Sequence, residues 1–337
     1  MFIHDKHIPH KIDEMVFHKD IMRKLCDMNT DNAIPHIILY GANGAGKKTL
    51  ARMFLENIYG QNINLTSNIK YVVNGSGNTS TDVYIKQSSY HIVINPNNNN
   101  FDRYLIQNIV TEYARRIPID IYKTSKTFKV VLINDVENLS YYAQMSLRRT
   151  MEKYSRTCRF FMICNSYSKL IDPLRSRCVC VRVPSPTYGE ICQTLVDISY
   201  YEKHKLSHID MIKIALRSKQ NIKYAIWMLE CVIKGIPLTN NFDLIISEII
   251  ELIMKKDLQY VPDIRTLLYS IMTINFNGSD IINSIMLNLC YKKCICDDDK
   301  VKIIELASKY EHNLSLGRRE IIHLDGFIIN IITLLSK

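Results

Sequence analysis

Ile37-Ile38-Leu39-Tyr40-Gly41-Ala42-Asn43-Gly44-Ala45-Gly46-Lys47-Lys48-Thr49 is the stretch whose reading decides the fold. An apolar strand runs into a glycine-rich turn, and the turn opens a helix, the order in which a chain cradles a nucleotide's phosphates. Gly41, Gly44 and Gly46 permit close backbone approach, so that successive N–H groups converge on one anion-sized concavity, with Asn43 and Ala45 completing the loop. Lys47 supplies a point charge. Position 48 breaks the pattern, because a magnesium-ligating hydroxyl is required there and Lys48 stands in its place. Thr49 does not simply substitute for it, since one step along a helix rotates the side chain by about 100°. The loop therefore reads as holding ATP or ADP, with magnesium weak or absent at this site.

Working outward, apolar runs alternate with helical patterns between Pro35 and Pro186. Strands are predicted over Ile37–Tyr40, Tyr90–Asn95, Lys129–Ile133 and Arg159–Cys164, and helices over Thr49–Tyr59, Asp102–Arg116 and Tyr142–Tyr154. That alternation is the signature of an α/β domain with a parallel sheet flanked by helices. Asn74 to Asp82 and Asn95 to Asn100 read as exposed loops. After Pro184-Ser185-Pro186 the strand signal stops. Tyr188 to Gly235 reads as a small module of amphipathic helices with Trp227 as its core anchor, and helical spacing of apolar residues resumes from Asn240 to Leu335. The expected domains are 1–186, 187–238 and 239–337.

The 337-residue chain carries 43 Lys and Arg against 33 Asp and Glu, a net charge of +10 that favours a polyanionic partner such as nucleic acid. No secretion signal is read at the N-terminus, and Ile321 to Leu335 is too short and polar to span a bilayer, so no membrane association is expected. Ten cysteines fit reduced residues of an intracellular protein. Cys290, Cys294 and Cys296 cluster, but no second ligand pair follows them and no metal site is expected. His4, His7 and His10 read as surface residues.

A hydrolytic site needs a buried strand that ends in a carboxylate for magnesium, followed by one for the attacking water. Val130-Val131-Leu132-Ile133-Asn134-Asp135 is the candidate. If Asn134 takes the metal position, its neutral amide replaces Asp and the shorter Asp135 stands as the base. If Asp135 takes it, Val136 stands where the base belongs. Either register leaves one carboxylate missing. A third strand ends in Asn165, a polar group placed to sense a γ-phosphate, and Arg175-Ser176-Arg177-Cys178 follows.

Gly44-Ala45-Gly46-Lys47-Lys48-Thr49, Ser146-Leu147-Arg148-Arg149-Thr150-Met151-Glu152-Lys153-Tyr154, Cys164-Asn165-Ser166 and Ser176-Arg177-Cys178 together resemble a small subunit of eukaryotic replication factor C, the AAA+ sliding-clamp loader. The similarity is strongest to the type whose phosphate loop also reads Gly-Lys-Lys-Thr. Tyr310-Glu311-His312-Asn313-Leu314-Ser315-Leu316-Gly317 and Ile322-His323-Leu324 resemble its C-terminal collar. The resemblance implies an AAA+ P-loop domain, a helical lid and an all-α collar. It implies Arg177 as an arginine finger toward the adjacent subunit's ATP, Asn165 as first sensor, and Lys223 in place of a second-sensor arginine. Other clamp-loader subunits, a PCNA-like clamp and primer-template DNA follow as partners, with Arg103, Arg115 and Arg116 as candidate phosphate contacts. The abundance of Asn, Ile and Lys fits an AT-rich genome, so a nucleus or a viral replication factory both suit the reading. A self-sufficient motor ATPase acting on DNA would need the metal ligands that are missing, and a nucleotide-free scaffold would not need the phosphate loop.

Overall fold

Short runs of β-branched and aromatic residues, spaced by helical stretches, build one seven-stranded sheet in the computed structural model. It describes residues 2–30, 34–60, 66–74, 80–96, 102–116, 128–204, 206–236, 241–274, 276–317 and 319–336. The strands are β1 (Ile37–Tyr40), β2 (Ser67–Asn74), β3 (Ser80–Gln87), β4 (His91–Ile94), β5 (Lys129–Ile133), β6 (Cys158–Cys164) and β7 (Val179–Arg182), in the order β2-β3-β4-β5-β6-β1-β7. From β4 to β7 all pairings are parallel, with Leu39 opposite Ile163 on one side and Val181 on the other. β5 is buried along its whole length, the apolar run Val130–Ile133 together with Lys129 at its start.

The sequence reading is corrected at the sheet's edge. β2 and β3 form an antiparallel hairpin and β3 also pairs antiparallel with β4, so Asn74 and Ser80 to Asp82 are strand residues rather than loop. Lys70, Asp82 and Lys86 punctuate these strands, and a cross-strand Lys70–Asp82 ion pair of 2.8 Å replaces apolar burial, which removes the hydrophobic signal. β7 escaped notice because it is four residues long and nowhere fully buried. Asn97 to Asn100 lie outside the described residues.

Helices cover both faces. α1 (Ile3–Lys6), α2 (Lys19–Thr30), α3 (Lys47–Tyr59), α4 (Asp102–Leu105), α5 (Thr111–Arg115), α6 (Tyr141–Lys153) and α7 (Asp172–Arg175) accompany the sheet, and a π turn at Ile106–Val110 joins α4 to α5. Successive β1 residues point to opposite faces. Ile38 packs with Leu105, Ile106, Val110, Leu147 and Met151, whereas Ile37 and Leu39 pack with Leu25, Leu50, Phe54 and Leu55. Burying each such side chain contributes about 1.5–3 kcal/mol, so this two-faced alternation fixes the strand that carries the phosphate loop.

The chain divides into two compact units, Met1–Ile236 and Pro237–Lys337. The first includes three further helices, α8 (Tyr188–Tyr201), α9 (His208–Arg217) and α10 (Ile222–Ile233). Their starts are fixed locally. Thr187 and Glu190 form a capping box, and the Ser207 and Asn221 side chains accept from the backbone of the first turn. Trp227 is not the core anchor expected of this module. The buried face of α10 is Ala225, Ile226, Met228 and Leu229, which leaves Trp227 on the outside and 47% exposed. The second unit holds α11 (Asn241–Met254), α12 (Val261–Thr273), α13 (Gly278–Tyr291), α14 (Asp297–Leu316) and α15 (Glu320–Leu335) around Ile249, Leu268, Ile285, Phe327 and Ile331. No helix of the described residues is long and apolar enough to cross a membrane.

Candidate nucleotide site

β1 ends at Tyr40 and the loop turns into α3 through Gly46, whose φ of 87° places the helix start in the left-handed region that favours glycine. Gly44 is left-handed too, at φ 77°, and a Cβ there would lie 2.1 Å from Asn221 Oδ1, so backbone and space both demand glycine. Lys47 is buried at the foot of the loop. Its Nζ donates to the carbonyls of Gly41 and Ala42, each at 2.7 Å, and to Asn165 Oδ1 at 2.9 Å. Burial lowers the Lys47 pKa below the usual lysine range, against the pull of Glu137 and Asp135. Three protons find three acceptors, and an entering phosphate competes with them for the ammonium. Asn43 is exposed, Ala45 is buried, and His18 Nε2 bonds the Ala45 carbonyl at 3.1 Å.

The acidic side of the site comes from the end of β5. Asn134 is buried. Its Nδ2 donates to Asn95 Oδ1 at 2.7 Å, while its Oδ1 makes no hydrogen bond to any described group. Asp135 turns left-handed (φ 47°, ψ 50°), which ends the strand and begins a 3₁₀ turn over Val136–Asn138. Its Oδ2 accepts from Lys48 Nζ at 3.3 Å and its Oδ1 from Asn165 Nδ2 at 3.4 Å. Thr49 is half-buried on the next step of α3. Val136 is fully buried and carries no chemistry. The nearby acid is Glu137, which the sequence reading did not weigh. Glu137 Oε1 accepts from the Asn165 backbone N at 2.9 Å and from its Nδ2 at 2.8 Å. The available signal was an acid two residues past Asp135 that a 3₁₀ turn folds back onto the strand end; a search for adjacent carboxylates passes over it. Lys47, Asn165 and Glu137 thus form one hydrogen-bonded chain.

The loop is also touched from the α8–α10 module. Ile222 N donates to the Gly44 carbonyl at 3.2 Å, and the Asn221 side chain caps α10 while lying over Gly44. Lys223 is placed elsewhere. It is exposed, with its ammonium 4.9 Å from the centroid of Trp227. Asn221, two residues earlier, is the contact the sequence reading missed, legible only as an N-cap. The N-terminal arm reaches the same module, since Lys6 Nζ and His7 Nε2 bond Glu202 Oε1 at 2.7 and 2.5 Å and the Ile3 N–H bonds Glu230. Lys6 and His7 hold the Glu202 carboxyl below the usual range. His7 is therefore half-buried against Tyr201 rather than a free surface residue.

Arg177 follows α7. Its Nε donates to Glu152 Oε1 at 2.6 Å and its Nη1 to the Pro173 carbonyl at 2.9 Å and Ser176 Oγ at 3.3 Å. None of these bonds reaches the phosphate loop of its own chain. Arg103, Arg115 and Arg116 are all exposed, but Arg103 sits at one end of the α4–α5 helix and the other two at its far end, about 18 Å away at helical rise. Arg116 pairs with Glu112.

Against this geometry, two family models match. The model of the replication factor C subunit 3 C-terminal domain covers residues 242–337, and that of the DNA polymerase III delta subunit covers residues 17–187. A replication factor C small subunit of Acanthamoeba polyphaga mimivirus is 42% identical over 97% of this chain and 90% of its own length. Replication factor C subunit 3 of Arabidopsis thaliana is 33% identical over 96% of this chain and 94% of its own. The Homo sapiens subunit 3 is 30% identical, with 99% and 96% covered. Among solved structures, a mutant RuvB of Thermotoga maritima aligns with a TM-score of 0.50 at 14% identity, over 73% of this chain and 80% of that one, a likeness of fold.

Proposed function

Since the chain belongs to the replication factor C family of AAA+ clamp-loader subunits, we propose that it acts inside a loader as a subunit that holds nucleotide without splitting it and lends Arg177 to its neighbour. The observation that carries the first half is the Lys48–Asp135 ion pair at 3.3 Å. The loop and Lys47 suit a polyphosphate. Magnesium does not fit as well: a lysine stands where its hydroxyl ligand belongs, that lysine's ammonium lies on the nearest carboxylate, and Asn134 offers only a neutral oxygen. Bound magnesium would supply charge neutralisation at the β- and γ-phosphates; here Lys47 and Lys48 supply cationic charge instead.

Arg177 is read as a finger for the adjacent subunit because its contacts leave its own loop untouched and a guanidinium fork suits transferred phosphoryl charge. Residues 1–186, 187–238 and 239–337 are read as the nucleotide domain, the lid and the collar that joins it to other loader subunits. A PCNA-like clamp and primer-template DNA are the partners this role requires, with Arg103, Arg115 and Arg116 offered to DNA phosphates, where contacts are independent of sequence. Both cellular and viral relatives exist, so the nucleus and a viral replication factory both suit the role. The experiment is a gain of function. Lys48→Thr combined with Asn134→Asp restores a hydroxyl and a carboxylate, and magnesium-dependent ATP turnover by the purified chain is expected to rise at least tenfold over wild type, the scale of one transition-state contact. Brisk turnover by the unaltered chain would overturn the reading.

A further inference from the structure

Two arginines address a single carboxylate oxygen. Glu152 Oε1, in the last turn of α6, lies 2.6 Å from Arg177 Nε and 3.9 Å from Arg148 Nε. Arg148 sits one helical turn before Glu152, and its Nε is buried with no hydrogen bond to any described group. The Arg177 pair is of another kind, since it ties α6 to the segment after α7, 25 residues further along the chain. Arg177 Nη1 is held as well, by the Pro173 carbonyl and Ser176 Oγ. Nη2 alone makes no hydrogen bond to a described residue.

An arginine on a flexible stem must be ordered before it can meet a phosphoryl group, and ordering it in advance lowers the cost at the moment of reaction. Here Nε and Nη1 are fixed within the chain and Nη2 is left to present. We propose that Glu152 is the positioning residue for Arg177: it grips Nε and orients the free Nη2 edge toward the neighbouring subunit, while Arg148 steadies Glu152 from its own helix. This rests on the reading of Arg177 as a finger in trans. Arg148 has a second function in the arrangement. If Arg177 shifts toward a partner's phosphate, the oxygen it releases has another guanidinium within reach, so the carboxylate does not lose its counter-charge.

The test uses the assembled loader, co-expressed with its other subunits, in wild-type form and with Arg177→Ala, Glu152→Gln, Glu152→Asp and the double change Arg177→Ala with Glu152→Gln. Glu152→Gln is expected to lower kcat for ATP about tenfold, the scale of a misoriented reacting group, with KM changed less than about twofold. Glu152→Asp should recover part of that loss, and the double variant should be no worse than Arg177→Ala. Such non-additivity separates positioning from a general structural role. An unchanged kcat in Glu152→Gln, or losses that multiply in the double variant, would overturn the inference and leave the finger standing. Full activity in Arg177→Ala would instead overturn the trans reading itself.

Discussion

Lys48 places an ammonium against Asp135 where a hydrolysing loop places a divalent ion, and this exchange was half legible in the sequence. The lysine at position 48 was plain from the motif. That it bonds Asp135 was not, because the left-handed turn at Asp135 that brings the carboxylate there is one that Asp tolerates but that its presence alone does not dictate. Glu137 was hidden for the same reason. Elsewhere at this scale burial acts on titration. Burial pushes His91 down to about 4; it lies against Ser88, whose Oγ is 2.7 Å from Nδ1. The folded protein keeps this imidazole neutral while the unfolded chain takes up a proton as pH falls through about 6.5. Its contribution is therefore complete above about 6.5 and declines towards pH 4, by up to about 3 kcal/mol. Urea midpoints measured from pH 7 to pH 4.5 should fall in the wild type and fall less steeply in His91→Leu; equal slopes would show that His91 is not held neutral.

At the scale of elements, the phosphate loop is a joint between β1, α3 and the start of α10. Asn221 caps α10 through Tyr224 N at 3.1 Å, and the adjoining Ile222 N–H binds the Gly44 carbonyl. Removing a cap of this kind costs about 1 kcal/mol. Asn221→Ala is thus expected to lower the thermal midpoint by a few degrees and, because the same residue lies over Gly44, to weaken nucleotide binding measurably. A stability loss with unchanged affinity would separate the cap from the loop. The parallel strands β1, β4, β5 and β6 and their helices could be read from periodicity because each buries most of an apolar run, which the short, partly exposed β7 does not. The β2–β3 hairpin could not, since its half-exposed strands are interrupted by charged residues and leave no continuous apolar run. At the start of α10 the first residues face outward or inward according to the cap, which leaves Lys223 on Trp227 and Asn221 on the loop.

For the molecule as a whole, the boundary between the sheet-bearing unit and the helical one falls at Ile236, three helices beyond Pro186 where the strand signal stops, and the family relationship spans nearly the full chain. Arg177 is named from the resemblance as a finger toward the adjacent subunit, and its bonds to Glu152, Pro173 and Ser176 hold the guanidinium within the chain without reaching its own phosphate loop. On the proposed function this chain keeps its nucleotide whole. The most direct measurement loads the isolated, purified chain with γ-labelled ATP and magnesium and follows the bound nucleotide over hours. Recovery of the label as intact ATP is the expected result; its steady release as phosphate, with ADP left in the site, would contradict the account.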